Sequence, residues 1–218
     1  MVMPARKGAE RSARNAVGRM VNPDEVRVDG RRERSVRTHQ RVIEAVIELV
    51  EEGETAPTAQ HVAARAGISL RTVYHHFDDL TALRAEALQL AWDRHTAGLV
   101  EIRNQRSLDD RVTALVRQLS KVYEAVAPVC RAELLAADKE VSAGVTRQSR
   151  RRLRQYIAAA LAPEIEAAGI TGPVLLDALD AALTWQSWDY LRAELGRSHA
   201  NATRTFETVV RHLLATTS

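Results

Sequence analysis

The sequence predicts an all-α chain, a small three-helix head on a larger helical body. Three observations carry this. Apolar residues recur every three to four positions through most long segments, and no segment alternates as a strand would. Aromatic residues are only 4% of the 218, while Ala and Leu abound, a composition that favours helices over sheets. Between Thr58 and Leu83 two short helical patterns meet at a glycine, and neither can bury a core without a third helix.

Residues 1–34 show no sustained apolar period and are interrupted by Pro4, Gly8, Gly18, Pro23 and Gly30. A disordered basic arm is expected there, with a brief ordered piece near Val21–Val28. The head follows over 35–82. Its first helix is predicted over Val36–Glu52, where Val42, Ala45, Val46, Leu49 and Val50 share a face that Ile43 and Ile47 widen. Gly53 is placed to stop it. The second helix spans Ala59–Arg65, with Thr58 as N-cap and Val62, Ala63 and Ala66 inward. Gly67 makes the turn, Ile68 plugs the core and Ser69 caps the third helix, Leu70–Phe77. Neither cap has Glu or Gln three residues on, so the reciprocal capping box is missing. Asp78 or Asp79 caps a fourth helix that carries Leu83, Ala87, Leu88 and Trp92 to about Ile102.

The body, 83–218, reads as helices throughout. One covers Leu108–Val126 and is expected to break at Pro128, with a shorter one over Val129–Ala137. Another runs from Ser142 to Ala168, irregular at Pro163. A turn at Gly169–Gly172 precedes single helices over Pro173–Leu195 and His199–Thr216.

Charge is unevenly spread. Residues 1–41 hold eleven Lys or Arg against five Asp or Glu, and the rest of the chain is slightly acidic. A basic end beside the short helices suits nucleic-acid contact confined to one end. In the third helix Val73 and Phe77, four apart, can pack inward while Arg71, Thr72, Tyr74 and His75 face out. That is the geometry of a helix-turn-helix whose second helix enters the major groove. Arg71 can grip a guanine edge or a phosphate, Thr72 can meet a thymine methyl or a phosphate, and Tyr74 and His75 can reach phosphates. The DNA-binding set is expected to be Thr58, Ser69, Leu70, Arg71, Thr72, Tyr74 and His75.

With these residues in view, the ordered string Thr58, Val62, Ala63, Ala66, Gly67, Ile68, Ser69, Thr72, Val73, Tyr74, His76, Phe77 and Leu83 resembles the N-terminal domain of TetR-family transcriptional regulators. The resemblance covers about residues 36–84, under a quarter of the chain. It implies an all-α homodimer in which a helix-turn-helix DNA-binding head joins a helical ligand-binding and dimerisation domain. It also implies a palindromic operator, released when a small organic effector enters the body. Thr72, Tyr74 and His75 match positions that commonly touch DNA in the family. Two positions differ: Leu70 stands where a basic residue is frequent, and Leu80 where Lys usually holds a phosphate. The basic arm is expected to compensate.

Dimer contacts are expected from Leu175, Leu179, Ala182, Phe206, Val210 and Leu213 on the last two helices. An effector pocket is expected among Tyr123, Cys130, Tyr156, Trp185, Trp188 and Tyr190. Trp188 and Tyr190, two apart, point to different sides. Arg150, Arg151, Arg152 and Arg154 read as a solvated charge run, with attraction of an anionic ligand as the alternative. The single cysteine makes no intrachain disulfide, adjacent His75 and His76 lie on different helix faces, and neither metal nor cofactor is expected. HExxH, P-loop, GxSxG and GxGxxG motifs are missing, so no enzyme is expected. No bilayer-length apolar run or secretory leader is read, which favours the cytoplasm. Repression and activation stay open, as does a helical scaffold or protein-interaction module with a degenerate head.

Overall fold

A computed structural model describes residues 23–102, 107–135 and 140–216, and every regular element among them is helical. The order is α1 (Pro23–Glu51), α2 (Ala59–Ala66), α3 (Leu70–His76), α4 (Leu80–Thr96), α5 (Leu108–Leu134), α6 (Glu140–Ala160), α7 (Ala162–Ala167), a 3-10 turn (Gly169–Thr171), α8 (Gly172–Ala182), α9 (Trp185–Asp189), a π-helical turn (Tyr190–Glu194) and α10 (His199–Ala215). The chain divides into two units at Thr38 and His39, within α1. No described helix is long and apolar enough to cross a membrane.

In the first unit the expectation of disorder over 1–34 is corrected for its described part. Helix α1 begins at Pro23, not near Val36. A proline is tolerated at a first helical position, where the missing N–H would have had no intrahelical partner. Further along, Arg34 Nε donates to the Gly30 carbonyl at 2.9 Å and Thr38 to the Arg34 carbonyl at 2.9 Å. Arg31, Arg32, Arg34 and Arg37 are exposed. Residues 1–22 lie outside the described residues.

In the second unit one buried apolar cluster runs from Val42 to Leu214. It is continuous across the expected boundary at 82 and 83, because α4 buries Leu83, Ala87, Leu88, Ala91 and Trp92 along its length. Helix α5 is the central post, packed by α4, α6, α9 and α10. Pro128 does not break it, correcting the expected two-helix reading. The lost backbone bond costs about 3 kcal/mol in a free helix. Here Val126, Ala127, Val129 and Cys130 are all buried beside the proline, and their packing outweighs that cost.

Two other interruptions are real. Leu161 leaves the helical region and Pro163 opens α7, as the irregularity expected at Pro163 anticipates. Pro173–Leu195 is not one helix: Leu183 adopts φ −95°, ψ 52°, and Thr184 starts α9 by accepting the Ser187 N–H at 3.1 Å. The carbonyl freed at Leu183 accepts the Tyr123 hydroxyl at 2.6 Å, so the break leaves no buried acceptor unpaired.

The expected dimer residues need correction too. Leu175, Leu179, Phe206 and Val210 are at most 3% exposed within one chain, where α10 packs on α5 and α8. Their apolar period marks the intrachain seam. Ala182 and Leu213 are half-buried.

Tyr123→Phe removes the donor to Leu183 and strands a buried carbonyl. Urea unfolding is expected to show a loss of about 1–3 kcal/mol, whereas an unmoved midpoint contradicts the role given to this bond.

Candidate nucleic-acid interface

The head is built on α1. Arg65 of α2 reaches Glu52 at 2.5 Å and Glu48 at 3.4 Å, and His61 reaches Glu54 at 2.5 Å. Arg41 donates to the Ala66 carbonyl at the end of α2. Sequence reasoning missed Arg41, since nothing local to it signals that a distant helix end needs a donor. Thr58 caps α2 by accepting the His61 N–H at 3.2 Å. Gly67 sits at φ 64°, ψ 41°, and its N–H closes onto the Ala63 and Ala64 carbonyls. This left-handed residue stops α2 and turns the chain toward α3.

Ser69 accepts the Thr72 N–H at 3.1 Å, and the two hydroxyls lie 2.8 Å apart. The Thr72 hydroxyl is therefore occupied within the helix start, while its side chain is half-buried. Val73 and Phe77 are 1% and 4% exposed. Phe77 stacks on His39 of α1 with ring centroids 4.5 Å apart. With that side of α3 fixed inward, Leu70, Arg71, Tyr74 and His75 are exposed on the other. Thr58 and Ser69 are exposed at the starts of their helices. The structure thus carries all seven expected residues on α3 and on the two caps.

His76 takes another role. It is half-buried, 5.9 Å from the His39 ring, and burial, then His39 and His75, lower its pKa. It packs toward α1. Leu80 does likewise: it is partly buried against the core, while Asp79 caps α4 by accepting the Ala82 N–H at 2.8 Å.

Helix α4 is tied to α1 by Glu86–His39 at 2.7 Å and Arg94–Glu44 at 2.9 Å. It is tied to α6 by Arg152, which donates to Asp93 at 2.8 Å and to Thr96 at 3.0 Å. The arginine run is therefore not a uniform solvated face. Arg154 pairs with Asp177 at 2.5 Å and Asp180 at 3.4 Å on α8.

In the body a small cavity of about 40 Å³ lies between α4, α5, α6, α8 and α9. Its walls bring together Tyr123 and Trp185 from the expected pocket, with Trp92, Arg150, Leu153 and Asp180 added. The other four expected lining residues sit elsewhere. Trp188 is buried and donates its indole N–H to Glu124 at 2.8 Å, and Arg192 and that N–H hold the Glu124 carboxyl below its usual range. Cys130 is buried and burial pushes its thiol up, which leaves it inert. Tyr156 lines a separate recess beside Leu99 and Ile102, where burial pushes its hydroxyl up to about 12. Tyr190 is exposed. Among the described residues no cluster of three His, Cys, Asp or Glu could hold a metal.

This arrangement occurs in solved structures. A transcriptional regulator from Rhodococcus sp. Rha1 superposes with a TM-score of 0.60 at 22% identity, covering 82% of this chain and 96% of that one. A candidate TetR-family transcriptional regulator from Mesorhizobium loti gives 0.65 at 18% identity, covering 84% and 98%. A TetR transcriptional regulator from Rhodococcus sp. RHA1 gives 0.51 at 22% identity, covering 86% and 100%. The fold is that of TetR-type regulators. No protein-family model matches the sequence, and a search of curated proteins gives no match either.

Gly67→Ala forces a Cβ into left-handed backbone, 3.2 Å from the Arg41 guanidinium. It is expected to cost about 1–2 kcal/mol in thermal or urea unfolding, and Gly67→Asn is expected to cost less. Equal stability of the alanine variant contradicts the turn geometry.

Proposed function

We propose that the chain is a TetR-family member: a dimeric, sequence-specific DNA-binding regulator that acts in the cytoplasm. It represses from a palindromic operator and leaves it when a small organic effector enters the body. One observation carries this reading. Val73 and Phe77 lock a seven-residue helix from behind, so Arg71, Tyr74 and His75 stand out from a fixed frame. A helix of that size fits the major groove, and its polar flank has donors for base edges and phosphates. One such helix reads few base pairs, and a twofold pair doubles the contact. The outer faces of α8 and α10 supply apolar surface for the pairing, with Val174 68% exposed and Ala181, Val209 and Leu213 beside the buried seam.

The route from effector to operator runs through α4. Its Trp92 lines the body cavity, its partner Arg152 comes from the cavity wall α6, and its Glu86 and Arg94 hold α1. A guest that displaces α6 or Trp92 shifts α4 and so the spacing of the two heads. The rival, an interaction module with a degenerate head, rests on exposed Leu70 and on Leu80 in place of a phosphate-holding lysine.

An unbiased duplex selection with the full-length protein tests the reading. A twofold-symmetric motif is expected, and enrichment of no motif favours the rival. Arg71→Ala should relax preference at one or two base pairs by about 1–3 kcal/mol each. A uniform loss over all duplexes instead marks Arg71 as a phosphate anchor. Deletion of residues 1–34 removes nine Lys or Arg. It should weaken operator binding and flatten its salt dependence, while unchanged affinity and slope remove the arm from the interface.

A further inference from the structure

We infer that the body cavity recognises a small aromatic anion, with its charge seated on Arg150 and its ring among Trp92, Tyr123 and Trp185. The inference rests on the effector reading above and adds the chemical class of the guest.

The walls set the ring. Trp92, Tyr123, Leu153 and Trp185 are each no more than 9% exposed, and they come from four different helices or helix starts. Flat apolar surfaces from several directions suit a planar guest. The polar groups set the charge. The Tyr123 hydroxyl is already given to Leu183, and the Thr184 hydroxyl is shared with Ser187 at 2.9 Å. Asp180, the acid of the wall, accepts from Arg154. Arg154 also holds Asp177, whose side chain is 69% exposed and so well screened by water.

Arg150 differs from Arg152 and Arg154 in having no partner among the described residues, and from Arg151 in lining the cavity. Arg152 is committed to α4 and Arg154 to α8. Arg150 is exposed at the edge of the cavity, with no hydrogen bond or ion pair among the described residues. A guanidinium presents a planar fork of donors that matches a carboxylate. The wall therefore offers an unspent cation and an acid that is already paired.

At 40 Å³ the cavity holds about three waters, so a ring must part a wall. Helix α9 is the shortest one, five residues long between the break at Leu183–Thr184 and a π-helical turn. Displacement of α9 moves Trp185, while a carboxylate on Arg150 pulls on α6, the helix that Arg152 ties to α4.

The test uses DNA-free full-length protein and calorimetric titration with 2-naphthoate, neutral 2-naphthamide and cationic 2-naphthylmethylamine. The anion is expected to bind about tenfold or more tightly than the amide, and the amine most weakly. Arg150→Gln should bring naphthoate to the level of the amide, Arg150→Lys should keep part of the preference, and Arg151→Gln should keep it all. Melting curves confirm that each variant is folded. No binding by any probe, an amide or amine that binds as tightly as the acid, or a preference that survives Arg150→Gln overturns the inference. Failure here leaves the duplex selection untouched, so the regulator reading and the anion inference fall separately.

Discussion

The burial of Val73 and Phe77 in the core, with Phe77 stacked on His39 of α1, is the contact on which the head depends. A helix of seven residues has almost no stability of its own, because nucleation costs more than so few backbone bonds return. Two large side chains, each at most 4% exposed, hold it. Burying groups of that size contributes about 1.5–3 kcal/mol each. Their direction decides everything on the opposite side. If the helix rolled by one residue, Tyr74 would enter the core and Val73 would face solvent. The stacked His39 and Phe77 rings and the left-handed Gly67 restrict that roll from two further sides.

Helix α4 carries the consequence into the body. The ion pairs that rivet it to α1 and α6 are largely solvent-exposed, and such pairs contribute about 0–1 kcal/mol each. They cannot be what holds the molecule together. The buried row Leu83, Ala87, Leu88, Ala91 and Trp92 does that. The pairs instead set the register between helices that could otherwise slide on an apolar seam. That division of labour suits a switch. Strong non-directional packing keeps the helices in contact, and weak directional contacts are what the proposed guest would rearrange.

The head was largely legible in the chain because its signals are local. Thr58, Gly67, Ser69 and the four-residue spacing of Val73 and Phe77 each act within a turn or two, and each does what its residue type requires. The interior of the body was less legible because its decisions are made across distance. Pro128 reads as a stop, yet the core on both sides of it carries α5 through. The run from Pro173 reads as one helix, and the break appears only because Thr184 caps a new start and Tyr123, sixty residues away, pairs the freed carbonyl. An apolar period cannot tell a seam within one chain from a seam between two, and Leu175, Leu179, Phe206 and Val210 belong to the first kind. The four arginines on α6 share a composition and differ only in what lies opposite each of them.

The central claim is that the outward flank of α3, held by its buried flank, is the surface that meets DNA. Backbone amide NMR of the full-length protein during titration with its selected duplex tests this most directly. The largest shift changes are expected at Ser69, Arg71, Tyr74 and His75, with Val73 and Phe77 keeping their slow hydrogen exchange. Changes confined to residues 108–216, or rapid exchange at Val73 in the free protein, would contradict the account.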